Sequence, residues 1–269
     1  MGYKILITGG AGYLGSILIP ELLGEGHKVT VLDNFMYKQN SLAHICHDIN
    51  FKLVRGDVRL KSVLRPLLKE AEIIIPLAAL VGAPVCDRDP VGAKTINHDS
   101  VLELFDLVGD QQCILMPTTN SAYGTGDENN YCTEESPLRP ISSYAKEKVA
   151  VEQALMKRKN SISFRLATVF GMSPRMRIDL LVNDFTYRAT NDRFIILFES
   201  HFKRNFIHVR DVAKAFDQAI EDESMLGEAY NLGLSSANLT KRQLAEKIKE
   251  HIPDLEIYTS EVGEDPDKR

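Results

Sequence analysis

Tyr144 and Lys148 have the residue types and the spacing for proton transfer. Four residues apart on one helix, they share a face. A phenol with a pKa near ~10 is a poor base at neutral pH. A nearby ammonium favours the phenolate and lowers that pKa. The pair alone reads more readily as a solvated helix face. Its neighbours change the balance: the short apolar strand Ile114-Leu115-Met116 leads into Pro117-Thr118-Thr119-Asn120-Ser121-Ala122-Tyr123-Gly124. Ligands collect at such C-terminal strand ends in open α/β sheets. There Thr119 can hold a substrate hydroxyl, while Ser142-Ser143 open a helix running from Tyr144 to about Leu155.

The elements that must position this chemistry begin at the N-terminus. Lys4 to Thr8 is a short apolar run, read as a buried parallel strand. Gly9, Gly12 and Gly15 follow, then a helix from Tyr13 to about Leu23 and a second strand, His27 to Leu32. Glycines at those points let a strand turn into a helix and let backbone N–H groups approach a pyrophosphate. The second strand ends at Asp33, where a carboxylate accepts hydrogen bonds from an adenosine ribose and repels a 2′-phosphate. That favours NAD over NADP. A third strand, Phe51 to Val54, runs into Asp57 and Val58, where a carboxylate can accept from an adenine amino group. A fourth apolar run, Ile73 to Ala79, ends in small residues that let a cofactor lie against the backbone.

In combination these residues resemble the extended short-chain dehydrogenase/reductases, in the NAD-dependent nucleotide-sugar epimerase/dehydratase group. The resemblance spans essentially the whole chain. It is carried by the glycine motif, Asp33-Asn34-Phe35, Asp57, Leu77-Ala78-Ala79, Thr119, Tyr123-Gly124, Tyr144 with Lys148, Arg165 to Gly171, Arg204 to Val212 and Ala229 to Gly233. It implies that Tyr144 is the base, Lys148 its partner and Thr119 the hydroxyl that holds the substrate. It implies NAD contacts from Gly9, Gly12, Tyr13, Leu14, Gly15, Asp33, Asn34, Asp57, Val58, Leu77, Ala78, Ala79 and Thr118, together with Tyr144 and Lys148. Asn120, Ser121, Thr168, Arg175, Asn183 and Arg204 fall at substrate positions, the two arginines and Asn183 facing a nucleotide diphosphate. Thr168 replaces an Asn common in relatives. Ala79 to Pro84 and Ser173 to Arg177 are similar to a subgroup that includes GDP-heptose 4-dehydrogenases of bacterial surface polysaccharides.

The departures narrow the chemistry. The 4,6-dehydratases carry Asp-Glu after the catalytic Thr; Asn120 and Ser121 stand there and cannot supply that acid and base. Water elimination is therefore not expected. The 3,5-epimerases carry a Cys where Ser121 stands, and Cys86, the nearest other thiol in sequence, reads as a small buried residue. Oxidation at sugar carbon 4 remains, ending either in epimerisation or in release of the ketone. The competing readings are a non-catalytic NAD-binding protein and an alcohol dehydrogenase acting on a substrate without a nucleotide.

Composition sets the frame. The chain has 269 residues and a net charge of −5, with no basic block, so nucleic-acid binding is not expected. Four cysteines show no paired or metal-ligand spacing, and no metal is expected. No signal peptide and no membrane span are read, which points to the cytoplasm. The expected fold is α/β: a Rossmann-type doubly wound parallel sheet over 1–171, with 204–232 returning to it. A small C-terminal substrate-binding lobe takes 172–203 and 233–269. Thr240 to Gln243 is a capping box that opens a helix to about His251. Relatives run some tens of residues further, so the stop at Asp267-Lys268-Arg269 reads as a shortened C-terminus. The resemblance also implies a homodimer through helices near Val101–Val108 and Tyr144–Lys157.

Overall fold

A computed structural model describes residues 2–125, 131–260 and 262. The last residues of the expected lobe, 261 and 263–269, lie outside the described residues. The strands are β1 (Lys4–Thr8), β2 (Lys28–Asp33), β3 (Phe51–Arg55), β4 (Ile73–Pro76), β5 (Cys113–Thr119), β6 (Ser161–Leu166), β7 (Thr168–Phe170), β8 (Phe194–Phe198), β9 (Lys203–His208), β10 (Ala229–Leu232), β11 (Asn238–Thr240) and β12 (Glu256–Ser260). The helices are α1 (Gly15–Gly24), α2 (Lys61–Glu70), α3 (Ala83–Arg88), α4 (Pro90–Ala93), α5 (Ser100–Leu107), α6 (Ser143–Leu155), α7 (Leu181–Asn191), α8 (Val209–Glu221) and α9 (Lys241–His251).

Seven strands form one sheet in the order β10-β6-β5-β4-β1-β2-β3, every pairing parallel. The order reverses between β1 and β4, the usual place for a ligand crevice. Strand alternation sorts the core into two layers. Ile5 and Ile7 of β1 pack with Leu18, Ile19 and Leu22 of α1 and Phe216 of α8. Leu6 packs on the opposite face with Leu64 and Leu68 of α2, Leu104 of α5 and Val151 and Leu155 of α6. This is the doubly wound Rossmann-type sheet expected from the alternation of strands and helices.

After β6 the chain leaves the main sheet. β7 pairs parallel with β9, which pairs antiparallel with β11. β8 and β12 form a separate parallel pair. Phe185, Ala189, Ile195, Leu197, Phe206, Leu244, Ala245 and Leu255 make a third core beneath them. α8 packs back on α1, and β10 joins the edge of the main sheet beside β6. The capping box at Thr240 forms with both of its bonds. Among the described residues, no helix is long and apolar enough to cross a membrane, and no cluster of His, Cys, Asp and Glu could hold a metal.

Candidate active site

At the C-terminal end of β1 the backbone makes a tight cradle. Gly9 has φ +70°, and its N–H donates to Leu32 O at 2.7 Å. A Cβ on Gly9 would stand 2.5 Å from the Ala78 backbone, and one on Gly15 would stand 2.3 Å from Gly10 O. These two glycines let the β1 turn lie against the strand-end residues after β4 and let α1 start close to the sheet. At Gly12 a Cβ would meet only Gly9 O, at 3.1 Å, so a ligand can approach that backbone from the open side. No side chain caps the first turn of α1. Within that turn Ser16 N bonds Gly12 O, and Ile17 N and Leu18 N bond Leu14 O, so an anion would be met by the N–H groups ahead of them, at Tyr13, Leu14 and Gly15. Asp33, 7% exposed, spans the cradle: Oδ2 accepts from Ala11 N at 3.0 Å and Oδ1 from Phe35 N at 2.7 Å. Burial raises its pKa, against the pull of those two amides. A carboxylate has further lone pairs for a ribose. The residues present therefore fit an NAD site.

The other expected cofactor residues are placed around this cradle. Asn34 Oδ1 accepts from Met36 N at 3.0 Å. Asp57 is gripped by Arg59, with Nε to Oδ1 at 2.9 Å and Nη2 to Oδ2 at 2.6 Å, which lowers its pKa. Val58 packs against the α2 side of the core. Leu77, Ala78 and Ala79 follow β4, and Leu77 N bonds Thr8 O at 2.9 Å.

α6 presents the second half of the site. Tyr144 and Lys148 lie on one helix face and are 8% and 5% exposed. Tyr144 packs with Leu80, Cys86, Ala93 and Ile96. Lys148 Nζ donates to Pro117 O at 3.4 Å, and burial pulls its pKa down to about 8. Ser142 caps the helix by accepting from Ala145 N at 3.2 Å. Thr119 Oγ1 donates to Ser121 Oγ at 3.0 Å and accepts from Ser121 N at 3.2 Å. Asn120 opens the short turn that follows β5.

Two residues that the sequence reading left without a role hold this arrangement. Glu152 continues the Tyr144, Lys148 series by one more turn and is 2% exposed. Its Oε2 accepts from Thr118 Oγ1 at 2.8 Å and Ser163 Oγ at 2.7 Å, and its Oε1 accepts from Arg165 Nη2 at 2.7 Å. Arg165 donates onward to Tyr123 Oη at 2.8 Å, and Tyr123 donates to Asn231 Oδ1 at 2.6 Å. Thr118, Arg165 and Asn231 sit abreast in β5, β6 and β10. Thr118, expected at the cofactor, thus spends its hydroxyl on this network. Asn97 is fully buried in the π-helical turn that leads into α5. It accepts from Leu80 N at 2.8 Å and donates to Leu80 O at 2.9 Å, fixing the segment after Ala79. The four-residue spacing could have pointed to Glu152; nothing local marks Asn97. Cys86 is buried, and burial, chiefly, pushes its thiol pKa up to about 11, so it stays a neutral packing group.

The expected substrate residues divide. Thr168 pairs opposite Phe206 in β7, and Arg204 lies on β9 opposite Leu239. The Arg175 guanidinium lies 4.6 Å above the Tyr37 ring, with Nη1 donating to Met176 O at 2.7 Å. Asn183 is buried, and the hydrogen bonds of its amide go to the chain: Oδ1 accepts from Gly171 N at 2.9 Å and Nδ2 donates to Arg177 O at 2.9 Å.

The comparisons agree with this fold. UDP-glucuronic acid decarboxylase 1 of Arabidopsis thaliana is 28% identical over 282 residues, covering 99% of this chain and 62% of that protein. The chain thus spans under two thirds of that relative's length. UDP-glucuronic acid decarboxylase 6 of the same plant is 30% identical over 284 residues, covering 99% of this chain and 80% of the relative. Among solved structures, UDP-glucose 4-epimerase of Thermotoga maritima with UDP-glucose superposes with a TM-score of 0.86 at 24% identity. That match covers 98% of this chain and 87% of the other, and it shows the shared fold. The profile of the NAD dependent epimerase/dehydratase family matches residues 5–233, a span running from the glycine cradle through β10. On that match, the chain belongs to the NAD-dependent epimerase/dehydratase family.

Proposed function

We propose that this protein oxidises carbon 4 of a nucleotide-diphosphate sugar, as a 4-epimerase or a 4-dehydrogenase, with GDP-heptose among the candidate substrates. Bacterial polysaccharide precursor synthesis in the cytoplasm, by a homodimer joined through α5 and α6, is the setting that fits. The observation that carries the reading is the buried face of α6 that Tyr144 and Lys148 share, from which Lys148 reaches Pro117 O of β5, two residues before Thr119. Bound NAD supplies the hydride acceptor. Thr119 orients the substrate hydroxyl, and Tyr144 takes its proton. Lys148, with its pKa near 8, provides a nearby positive charge that can itself give up a proton close to neutral pH. Asn120 and Ser121 have no titratable group to expel water, which argues against 4,6-dehydration.

The test is a mass and NMR readout of sugar products. The purified protein is incubated with GDP-, UDP-, dTDP- and CDP-sugars, a GDP-heptose and UDP-glucuronic acid included. A product lighter by two hydrogens, with NADH formed, identifies a 4-dehydrogenase. An isomer of unchanged mass identifies an epimerase. Loss of carbon dioxide from the uronic acid would place the protein with its decarboxylase relatives. A product lacking water would overturn the argument from Asn120 and Ser121. Unchanged substrates throughout would favour a non-catalytic NAD-binding protein.

A further inference from the structure

We propose that Ser173 is a positioning residue for the cofactor. From the connector between β7 and α7 it holds the peptide joining Tyr13 to Leu14, so that Leu14 N–H faces the NAD pyrophosphate.

The turn into α1 has a gap in its backbone bonding. Ser16 N bonds Gly12 O, and Ile17 N bonds Leu14 O. Among the described residues, no backbone N–H reaches the Tyr13 carbonyl between those two acceptors. Hydroxyls fill the gap. Ser173 Oγ donates to Tyr13 O at 2.7 Å, and Ser16 Oγ stands 3.3 Å from the same oxygen. The glycine cradle thus has its carbonyl side held by a residue from a distant part of the chain.

The Ser173 hydroxyl is used to its full capacity, as one donor and two acceptor positions. Its proton goes to Tyr13 O, so at the 2.8 Å contact between the two serines Ser16 is the donor. Arg175 N adds a second bond to Ser173 Oγ at 3.3 Å. Hydrogen bonds in a chain polarise one another, so the run from Ser16 through Ser173 strengthens the bond at Tyr13 O.

The peptide passes this on. In a trans peptide the C=O and N–H point to opposite sides of one rigid plane. Holding Tyr13 O therefore sets the direction of Leu14 N–H, one of the three N–H groups left to meet an anion. The connector is a firm anchor for this task. Asn183 closes it into a loop, with Oδ1 accepting from Gly171 N and Nδ2 donating to Arg177 O, both at 2.9 Å. Tyr13 Oη donates to Gly171 O at 2.6 Å on one side of Ser173, and Arg175 stacks 4.6 Å above the Tyr37 ring on the other.

The test titrates NAD by calorimetry into the full chain, freed of carried-over cofactor. Ser173→Ala is expected to weaken NAD about three- to tenfold, the worth of one net hydrogen bond. Ser173→Thr keeps the hydroxyl and is expected to recover the affinity. Tyr13→Phe removes the bond to Gly171 O but leaves the Tyr13 carbonyl in place; it is expected to lower Tm while keeping most of the NAD affinity. Equal losses of NAD affinity in Tyr13→Phe and Ser173→Ala would mean that the connector merely clamps the cradle, and would overturn the orienting role. The second readout is the Leu14 amide itself, by NMR of the isotope-labelled, NAD-saturated protein. Its proton resonance is expected to move upfield in Ser173→Ala, as its hydrogen bond to the anion lengthens, and to return in Ser173→Thr. Natural NAD affinity in Ser173→Ala would overturn the proposal, and so would an unmoved Leu14 resonance.

Discussion

The two halves of the site are built from opposite materials. The cradle after β1 is made of things left out: a missing Cβ at Gly9 and Gly15, and no side-chain cap on α1. The α6 half is made of side chains put in and buried: Tyr144, Lys148 and Glu152 on one face, with Arg165 closing the network. Backbone vacancies depend on local conformation and tolerate no addition. Buried polar side chains depend on partners far away in sequence and tolerate no loss of a partner.

The strongest way to sharpen the contrast is Tyr144→Phe. It should cut turnover about 10²- to 10⁴-fold, the usual worth of a positioned acid–base group. NAD binding, measured by fluorescence titration, should survive. Full turnover in that variant would remove the base from α6.

Next is Glu152→Leu, which leaves Arg165 buried without its carboxylate. The expected cost is about 3–5 kcal/mol, seen as a fall in Tm of roughly 10 °C. A variant that melts with the natural protein would mean the pair is not a structural clamp.

Gly9→Ala tests the other half. A left-handed conformation and a backbone clash at 2.5 Å should together cost about 1–3 kcal/mol and lower NAD affinity. Gly24, at the end of α1 with nothing within 4 Å of its Cβ direction, is the control. Gly24→Ala should raise stability by up to about 1 kcal/mol.

Lys148→Met should abolish efficient proton transfer yet raise Tm by a few degrees, roughly, at pH 7. Below about pH 8 the folded protein must hold a charged amine in its interior, whereas the unfolded chain keeps that proton up to 10.5. The natural protein therefore gains stability as pH rises from about 8 toward 10.5, and the advantage of the methionine variant should shrink over that window. An advantage independent of pH would contradict the lowered pKa.

The contrast also explains what could be read beforehand. Glycine spacing and the apolar alternation of Ile5, Leu6 and Ile7 are local, so the cradle and both core layers were legible. The pair at Tyr144 and Lys148 was visible because a helix turns local spacing into a shared face. Asn97 was not visible, because its role is set by Leu80 across a chain fold, and a buried Asn looks like any other in sequence. Asn183 was read as a phosphate ligand, and its bonds to Gly171 and Arg177 exist only once the connector is folded. The change in pattern after residue 171 was legible, but the two small sheets found there were not. Short strands such as Asn238–Thr240 carry too few residues to show a period.

The Glu152–Arg165 pair has a consequence for how this sequence can drift. Changing either residue alone strands its partner, so single substitutions at 152 and at 165 should both fail in a random library. Only paired replacements should survive, leaving these two positions locked to each other through descent.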